Sequence, residues 1–275
     1  MRTFVFTCLL LLGMTTFAQD ANFHIYLCLG QSNMEGNAKV EEQDTVAVDS
    51  RFQVLAAVDC PNLGRTKGNW YKAVPPLARC YTGLTPGDYF GRAMVANLPS
   101  NVRVGIINVA VGGCRIELFD KDNYQFYVET SPDWLKNMVK EYGGNPYARL
   151  VEMAKLAQKD GVIKGILLHQ GESNTNDKDW PLKVKGVYDN LLNDLGLSAA
   201  NVPLLAGEVV HADQNGVCAS MNTIIDSLPQ VIPTAHVISS AGCPAAFDNL
   251  HFTAEGYRML GARYAAKMLS ILGYG

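Results

Sequence analysis

The sequence predicts an α/β protein, a three-layer α/β/α sandwich around a mostly parallel sheet with right-handed crossovers. Three observations predict it. Short apolar, β-branched runs alternate with segments of helical spacing along the whole chain. The runs are apolar nearly throughout rather than at every second residue, as in strands covered on both faces. Several of them stop at turns rich in glycine and reactive side chains, and ligands bind at that carboxyl edge in open α/β sheets.

The first segment is set apart from this pattern. Arg2, the apolar run 4–12 and the end Thr16-Phe17-Ala18 read as a secretory signal peptide cleaved after Ala18. The run is shorter than the ~20 residues that span a bilayer. Of the 275 residues, removing 18 leaves 257, residues 19–275, the size of one domain. No repeat, low-complexity tract or linker divides them, and no later segment is long and apolar enough to cross a membrane. A soluble exported protein is expected, in the periplasm or the medium. Without Arg2, 22 of the 23 basic side chains remain against 26 acidic ones, a net charge near −4. That balance argues against nucleic acid or an anionic membrane surface as partner. Six cysteines remain in 19–275. Export permits disulfides, and Cys60 with Cys80 or Cys218 with Cys243 are candidate loop pairs, while Cys28 lies inside the first strand as a small apolar residue.

The elements follow in order. Residues 23–29 (FHIYLCL) form the first buried strand, and Gly30 permits a sharp turn that presents Ser32 just beyond its end. Residues 52–58 are a second strand, followed to Gly87 by a long irregular region of glycine, proline and single aromatics. Residues 88–98 have helical spacing through Phe90, Met94, Val95 and Leu98. Residues 101–111 are the next strand, stopped by Gly112-Gly113. An insertion-like stretch, 115–144, carries Phe119, Tyr124, Phe126, Tyr127 and Trp134. Residues 146–159 form an amphipathic helix with Pro146 in its first turn. Strand 162–168 then ends at His169-Gln170-Gly171-Glu172. A helix at 181–195, a strand at 202–210, a helix at 220–228 and a short strand at 235–239 lead to a C-terminal helix, 253–272, with Thr253 as its N-cap.

Parallel strands would bring four of these turns to one edge. Acyl transfer needs a nucleophile, a base, an orienting acid and donors for an oxyanion. Ser32 is the candidate nucleophile, His251 the base, and Asp248 the acid that fixes the imidazole. The Ser32 N–H, an N–H of Gly112 or Gly113, and the Gln170 amide are candidate oxyanion donors. Each motif alone has a plainer reading: Asp-x-x-His ahead of a helix is also a capping pattern, and Gly-Gly is also an ordinary turn. Glu172 is either a satisfied loop carboxylate or an alternative acid for His251. His169, Glu172, His211 and Asp213 lack metal-ligand spacing, so neither metal nor other cofactor is expected.

Together, GQSNMEG at 30–36, VGG at 111–113, HQGESN at 169–174 and DNLHF at 248–252 resemble the SGNH (GDSL-like) hydrolases. More narrowly, they resemble the sialate O-acetylesterase-type domain of carbohydrate esterase family six, which includes acetylxylan esterases. The blocks keep the family's order and span almost all of 19–275. The resemblance implies a flavodoxin-like sandwich, the SGNH hydrolase fold, and a metal-independent serine esterase that removes O-acetyl groups from carbohydrate. It matches Ser32, Asp248 and His251 to nucleophile, acid and base, and Gly112 or Gly113 and Gln170 to the oxyanion donors. The wider pattern has an asparagine where this chain offers Gln170-Gly171-Glu172, and the block ends in Asn174 where an acid is expected.

The expected reaction is deacetylation through an acetyl-enzyme. The partner is an acetylated sugar, and the oligomeric state is open. Aromatics at Trp70-Tyr71, 124–127 and Trp134 are candidates for sugar stacking, and Arg115, Glu172, Asn174, Glu208 and His211 for further contacts. Alternatives are a lipase or thioesterase for longer acyl chains and a carbohydrate-binding protein without turnover.

Overall fold

Strand β1 (Asp20–Gly30) runs through the middle of the sheet and sends its side chains alternately into two cores. Phe23, Ile25, Leu27 and Leu29 enter one, Tyr26 and Cys28 the other. Both faces are covered, which is why the run has no polar side. The computed structural model describes residues 19–274, and the signal peptide predicted for 1–18 lies outside the described residues.

Strands β2 (Phe52–Leu55), β3 (Trp70–Lys72), β4 (Arg103–Ala110), β5 (Gly161–His169), β6 (Leu204–Gly207) and β7 (Ala235–Ile238) complete a seven-stranded sheet in the order β3-β2-β4-β1-β5-β6-β7. Every neighbouring pair is parallel except β2 with β3. The helices of the described residues are α1 (Ser32–Glu35), α2 (Glu42–Thr45), α3 (Pro86–Asn97), α4 (Tyr124–Thr130), α5 (Asp133–Glu141), α6 (Pro146–Ala157), α7 (Trp180–Leu195), α8 (Asn222–Ile225) and α9 (Ala254–Leu272). Helices α3 and α9 cover the face with Tyr26 and Cys28, while α5, α6 and α7 cover the other. The predicted three-layer sandwich is therefore present. Asn145 Oδ1 accepts the Ala148 N–H at 2.9 Å and Thr253 Oγ1 the Gly256 N–H at 3.1 Å, so α6 and α9 start where capping residues place them.

The strands expected at 52–58 and 202–210 are shorter, as β2 and β6, and three further segments differ from expectation. Strand β3 is a short half-buried edge strand whose three residues carry too little pattern to separate it from the surrounding loop. The stretch 115–144 contains α4 and α5, and α5 buries only Leu135 and Val139 among charged neighbours, so its apolar stripe is thin. The helix expected at 220–228 is broken into a 3₁₀ turn at Ala219–Met221, the single turn of α8, and a second 3₁₀ turn at Leu228–Gln230. Proline at 229 cannot donate to a continued helical ladder.

Cys60 and Cys80 form a disulfide, and Cys28, Cys114, Cys218 and Cys243 are free. Cys218 does not pair with Cys243 because they pack against the cores on opposite faces of the sheet. No helix of the described residues is long and apolar enough to cross a membrane.

The register of the central strands prepares the site. Gly30 lies level with Ala110 of β4 and His169 of β5. Three strands thus end side by side where the chain passes from one side of β1 to the other, the switch point at which such sheets open a crevice.

Candidate active site

Gly30 has φ of +150°, and a Cβ there would sit 2.0 Å from the His169 carbonyl oxygen. Only glycine lets β1 end against β5 and turn. Gln31 follows as the extended N-cap of α1, and Ser32 is its first residue. Ser32 Oγ lies 2.9 Å from His251 Nε2, and His251 Nδ1 lies 2.7 Å from Asp248 Oδ2. A carboxylate only accepts, so the Nδ1 proton points at Asp248 and the Nε2 lone pair at Ser32. Asp248 Oδ1 accepts the N–H groups of Leu250 and His251, each at 3.0 Å. Burial pushes the Asp248 carboxyl up, but the His251 ring and these backbone donors outweigh it and hold it below the usual carboxylate range. The chain from hydroxyl through imidazole to carboxylate joins two turns 216 or more residues apart in sequence, the geometry needed to remove a proton from a hydroxyl.

The oxyanion candidates separate. Among the described residues, neither the Ser32 N–H nor the Gly113 N–H has a protein acceptor. Gly112 does: its N–H faces the Glu35 carboxylate. Glu35 in turn accepts from Arg79, with Oε1 2.6 Å from Nη2 and 3.1 Å from Nε. Burial pushes the Glu35 carboxyl up, opposed by that guanidinium. Gly113 adopts φ of +70° and lies under the Trp134 indole, where a Cβ would come within 2.7 Å of the ring.

Gln170 does not join these donors. Its Nε2 faces Asn174 Oδ1 at 2.7 Å, Gln31 Oε1 at 3.1 Å and the Cys114 carbonyl at 3.3 Å, and its Oε1 accepts the Trp180 indole N–H. Both N–H groups of the amide are committed inside the protein, so the expectation of an oxyanion contact is corrected to a loop-bracing role. Gln31 Oε1 completes the brace, accepting the Ser173 N–H at 3.2 Å.

Glu172 does not reach His251. Buried beneath the site, its Oε1 accepts from Asn33 Nδ2 at 2.5 Å. Asn33 Nδ2 also donates to the Leu250 carbonyl, and Asn33 Oδ1 accepts from Tyr257 Oη at 2.6 Å and, at 3.4 Å, from the Phe252 N–H. One fully buried asparagine therefore ties the Ser32 turn to both the Glu172 loop and the loop that carries His251. Burial pushes the Glu172 carboxyl up, but His169 and the Asn33 amide outweigh it and hold it low.

The remaining contact candidates are turned elsewhere. Asn174 is buried, accepting the Ile116 N–H and donating to Glu117 and Asp177. Arg115 lies in the ion-pair group with those same two carboxylates. Glu208 Oε2 accepts from Ser239 Oγ and the Ser240 N–H, closing the turn after β7. His211 is paired with Asp213 at 3.3 Å. Trp70 packs on Phe23 at the opposite end of β1, and Tyr71 Oη accepts the Thr66 N–H. Tyr127 Oη accepts the Arg115 N–H. Of the aromatic candidates, Trp134 reaches the turn next to Ser32. No group of three or more metal-ligating side chains occurs among the described residues.

The sequence reading missed Glu35, Arg79 and Phe247. Glu35 lay inside the quoted GQSNMEG block, but its partner is 44 residues away, and nothing in local pattern reveals that pairing.

Residues 22–270 match the family described as carbohydrate esterase, sialic acid-specific acetylesterase. A protein of Arabidopsis thaliana described as a probable carbohydrate esterase is 25% identical over 264 residues, which cover 90% of each chain. The X-ray structure of that plant protein superposes with a TM-score of 0.69 at 21% identity, over 91% of this chain and 99% of that one. The structure of NanS gives a TM-score of 0.65 at 15% identity, over 93% and 99%. A carbohydrate acetylesterase from Xanthomonas citri gives 0.63 at 18%, with 90% of this chain covering 56% of that one. The structural likenesses establish the shared fold.

Proposed function

Since the chain belongs to the carbohydrate esterase family of sialic acid-specific acetylesterases, and is thus a carboxylic ester hydrolase, we propose that it removes O-acetyl groups from carbohydrate through an acetyl–Ser32 intermediate. The observation that carries this reading is the continuous contact from Ser32 Oγ to His251 to Asp248, at 2.9 and 2.7 Å.

His251 Nε2 takes the hydroxyl proton as Ser32 Oγ attacks the acetyl carbonyl. Asp248 stabilises the resulting imidazolium through Nδ1–H. The Ser32 and Gly113 N–H groups receive the charge that develops on the carbonyl oxygen. Collapse breaks the ester bond, and the sugar oxygen leaves with the proton from His251. Water then gives a proton to His251 as it attacks the acetyl group, and collapse breaks the acetyl–Oγ bond, returns that proton from His251 to Ser32 Oγ and releases acetate. Trp134 over Gly113 narrows the space beside the oxyanion donors and favours a short acyl group over the long chain of a lipase substrate.

Residues 19–275 act in this reading as one domain exported behind the 1–18 signal segment. The Cys60–Cys80 disulfide supports an oxidising destination.

The test is acetate release from acetylated xylan oligosaccharides, O-acetylated sialic acid, an aryl acetate and the matching octanoate, with Ser32→Ala beside wild type. Wild-type release from a sugar, absent in Ser32→Ala, is expected, with octanoate a poor substrate. Folded wild type that releases no acetate from any sugar overturns the reading.

A further inference from the structure

A cavity of about 300 Å³ opens beside the catalytic turn, lined by Asn37, Ala38, Lys39, Phe247, Asp248 and His251 among others. Resting on the deacetylase reading, we infer that this cavity is the subsite for the sugar ring, with Phe247 as its stacking platform.

Chemistry fixes which side of Ser32 the sugar must occupy. The leaving oxygen has to receive its proton from His251 Nε2, so the group attached to it lies on the His251 side. The cavity is on that side: Asp248 and His251 line it with residues 37–39, 41, 246–247 and 252–254, and none of Ser32, Gly112 and Gly113 does. The acyl carbonyl and the glycan therefore diverge, the first toward Gly113 and Trp134, the second toward Lys39 and Phe247. The volume is at the small end of the roughly 300–1,000 Å³ typical of ligand cavities, room for a sugar residue rather than a long stretch of polymer.

Phe247 is the feature that folding does not explain. It is 100% exposed, directly before Asp248. Its backbone is nonetheless braced. The Ala246 N–H donates to the His251 carbonyl at 2.8 Å, the Asn249 N–H to the Ala246 carbonyl at 2.9 Å, and Ala245 bridges to Phe252. The hairpin that holds the catalytic acid and base thus also holds an unpacked aromatic ring at the cavity wall. A ring carried on a braced backbone and free of packing partners offers an apolar face to the C–H face of a pyranose. Lys39 is an ammonium donor for sugar oxygens. Glu41 is engaged by Arg258 at 2.5 Å, and Lys39 has no ion-pair partner among the described residues.

The experiment compares kcat/KM for the best acetylated sugar with kcat/KM for ethyl acetate, which has no ring, in wild type, Phe247→Ala and Phe247→Tyr. Phe247→Ala is expected to lower the sugar-to-ethyl-acetate ratio about tenfold, mainly through KM for the sugar, while Phe247→Tyr keeps it within about twofold. A merely structural role would depress both substrates together. Wild-type sugar turnover with an unchanged ratio in Phe247→Ala overturns the subsite and leaves the deacetylase reading standing. Hydrolysis of ethyl acetate but of no sugar acetate by wild type overturns both.

Discussion

The carboxyl edge of the sheet carries two histidine–carboxylate pairs with the same spacing, Asp248 with His251 and His169 with Glu172, and only one fits the proposed chemistry. In the first, the ring and the carboxylate are 2.7 Å apart, and the second ring nitrogen reaches Ser32 Oγ. In the second the separation is 3.6 Å, both side chains are sealed from solvent, and neither His169 nitrogen has a hydrogen-bond partner among the described residues. Glu172 spends its best hydrogen bond on Asn33 and so holds three loops together. A three-residue spacing brings a histidine and an acid near one another. Function is decided by what the far nitrogen touches and whether substrate can reach it.

The largest effect separates the histidines. On the proposed mechanism, in which its side chain is the base and not part of the core, His251→Ala is expected to lower kcat by about 10⁴-fold or more with little change in the urea midpoint. His169→Ala should do the reverse, losing about 2–4 kcal/mol of stability to a buried cavity while folded protein keeps activity within about tenfold. Equal losses of turnover in acetate-release assays would collapse the distinction.

The carboxylates sharpen it at the next level. Asp248→Asn removes the acceptor that fixes the imidazole tautomer, and kcat should fall roughly 10²- to 10⁴-fold. Glu172→Gln keeps an oxygen for the Asn33 amide and should change kcat less than tenfold. A severe Glu172→Gln beside a harmless Asp248→Asn would exchange the roles of the two acids.

How much of this was legible before the fold was known differs by element. The central strands were, since a doubly covered strand such as β1 announces itself as a continuous apolar run, and so was the alternation that sets the sandwich. The triad candidates were visible because Ser32, Asp248 and His251 each sit in a short block beyond a strand. The assignment of donors was not. Gln170 and Gly112 both carry suitable N–H groups, and their exclusion depends on Asn174, Gln31 and Glu35, partners supplied by other loops. Asn174, Glu208 and Arg115 likewise look available in sequence and are taken up by neighbours in space. Phe247 was passed over because a lone aromatic in a turn has no period to mark it, and its exposure is a property of the folded hairpin.

The smallest effect concerns acid. Glu172 and Asp248 are both held below the usual carboxylate range, so each takes up its proton at lower pH folded than unfolded. Each therefore contributes stability that is complete above the unfolded pKa, about 4 for such groups, and is lost as pH falls through the folded value. The slope due to one such group is at most about 1.4 kcal/mol per pH unit. The Asp248 side chain is about a third exposed, at 34%, whereas that of Glu172 is 3% exposed. Solvent screens the first more than the second, so the thermodynamic ranking is the opposite of the proposed catalytic one. Urea unfolding between pH 3 and 6 should show Glu172→Gln flattening the acid limb of the stability profile more than Asp248→Asn does. Wild-type slope retained in Glu172→Gln would mean that the buried carboxyl titrates alike in both states, and that Asn33, rather than its charged partner, is what joins the loops.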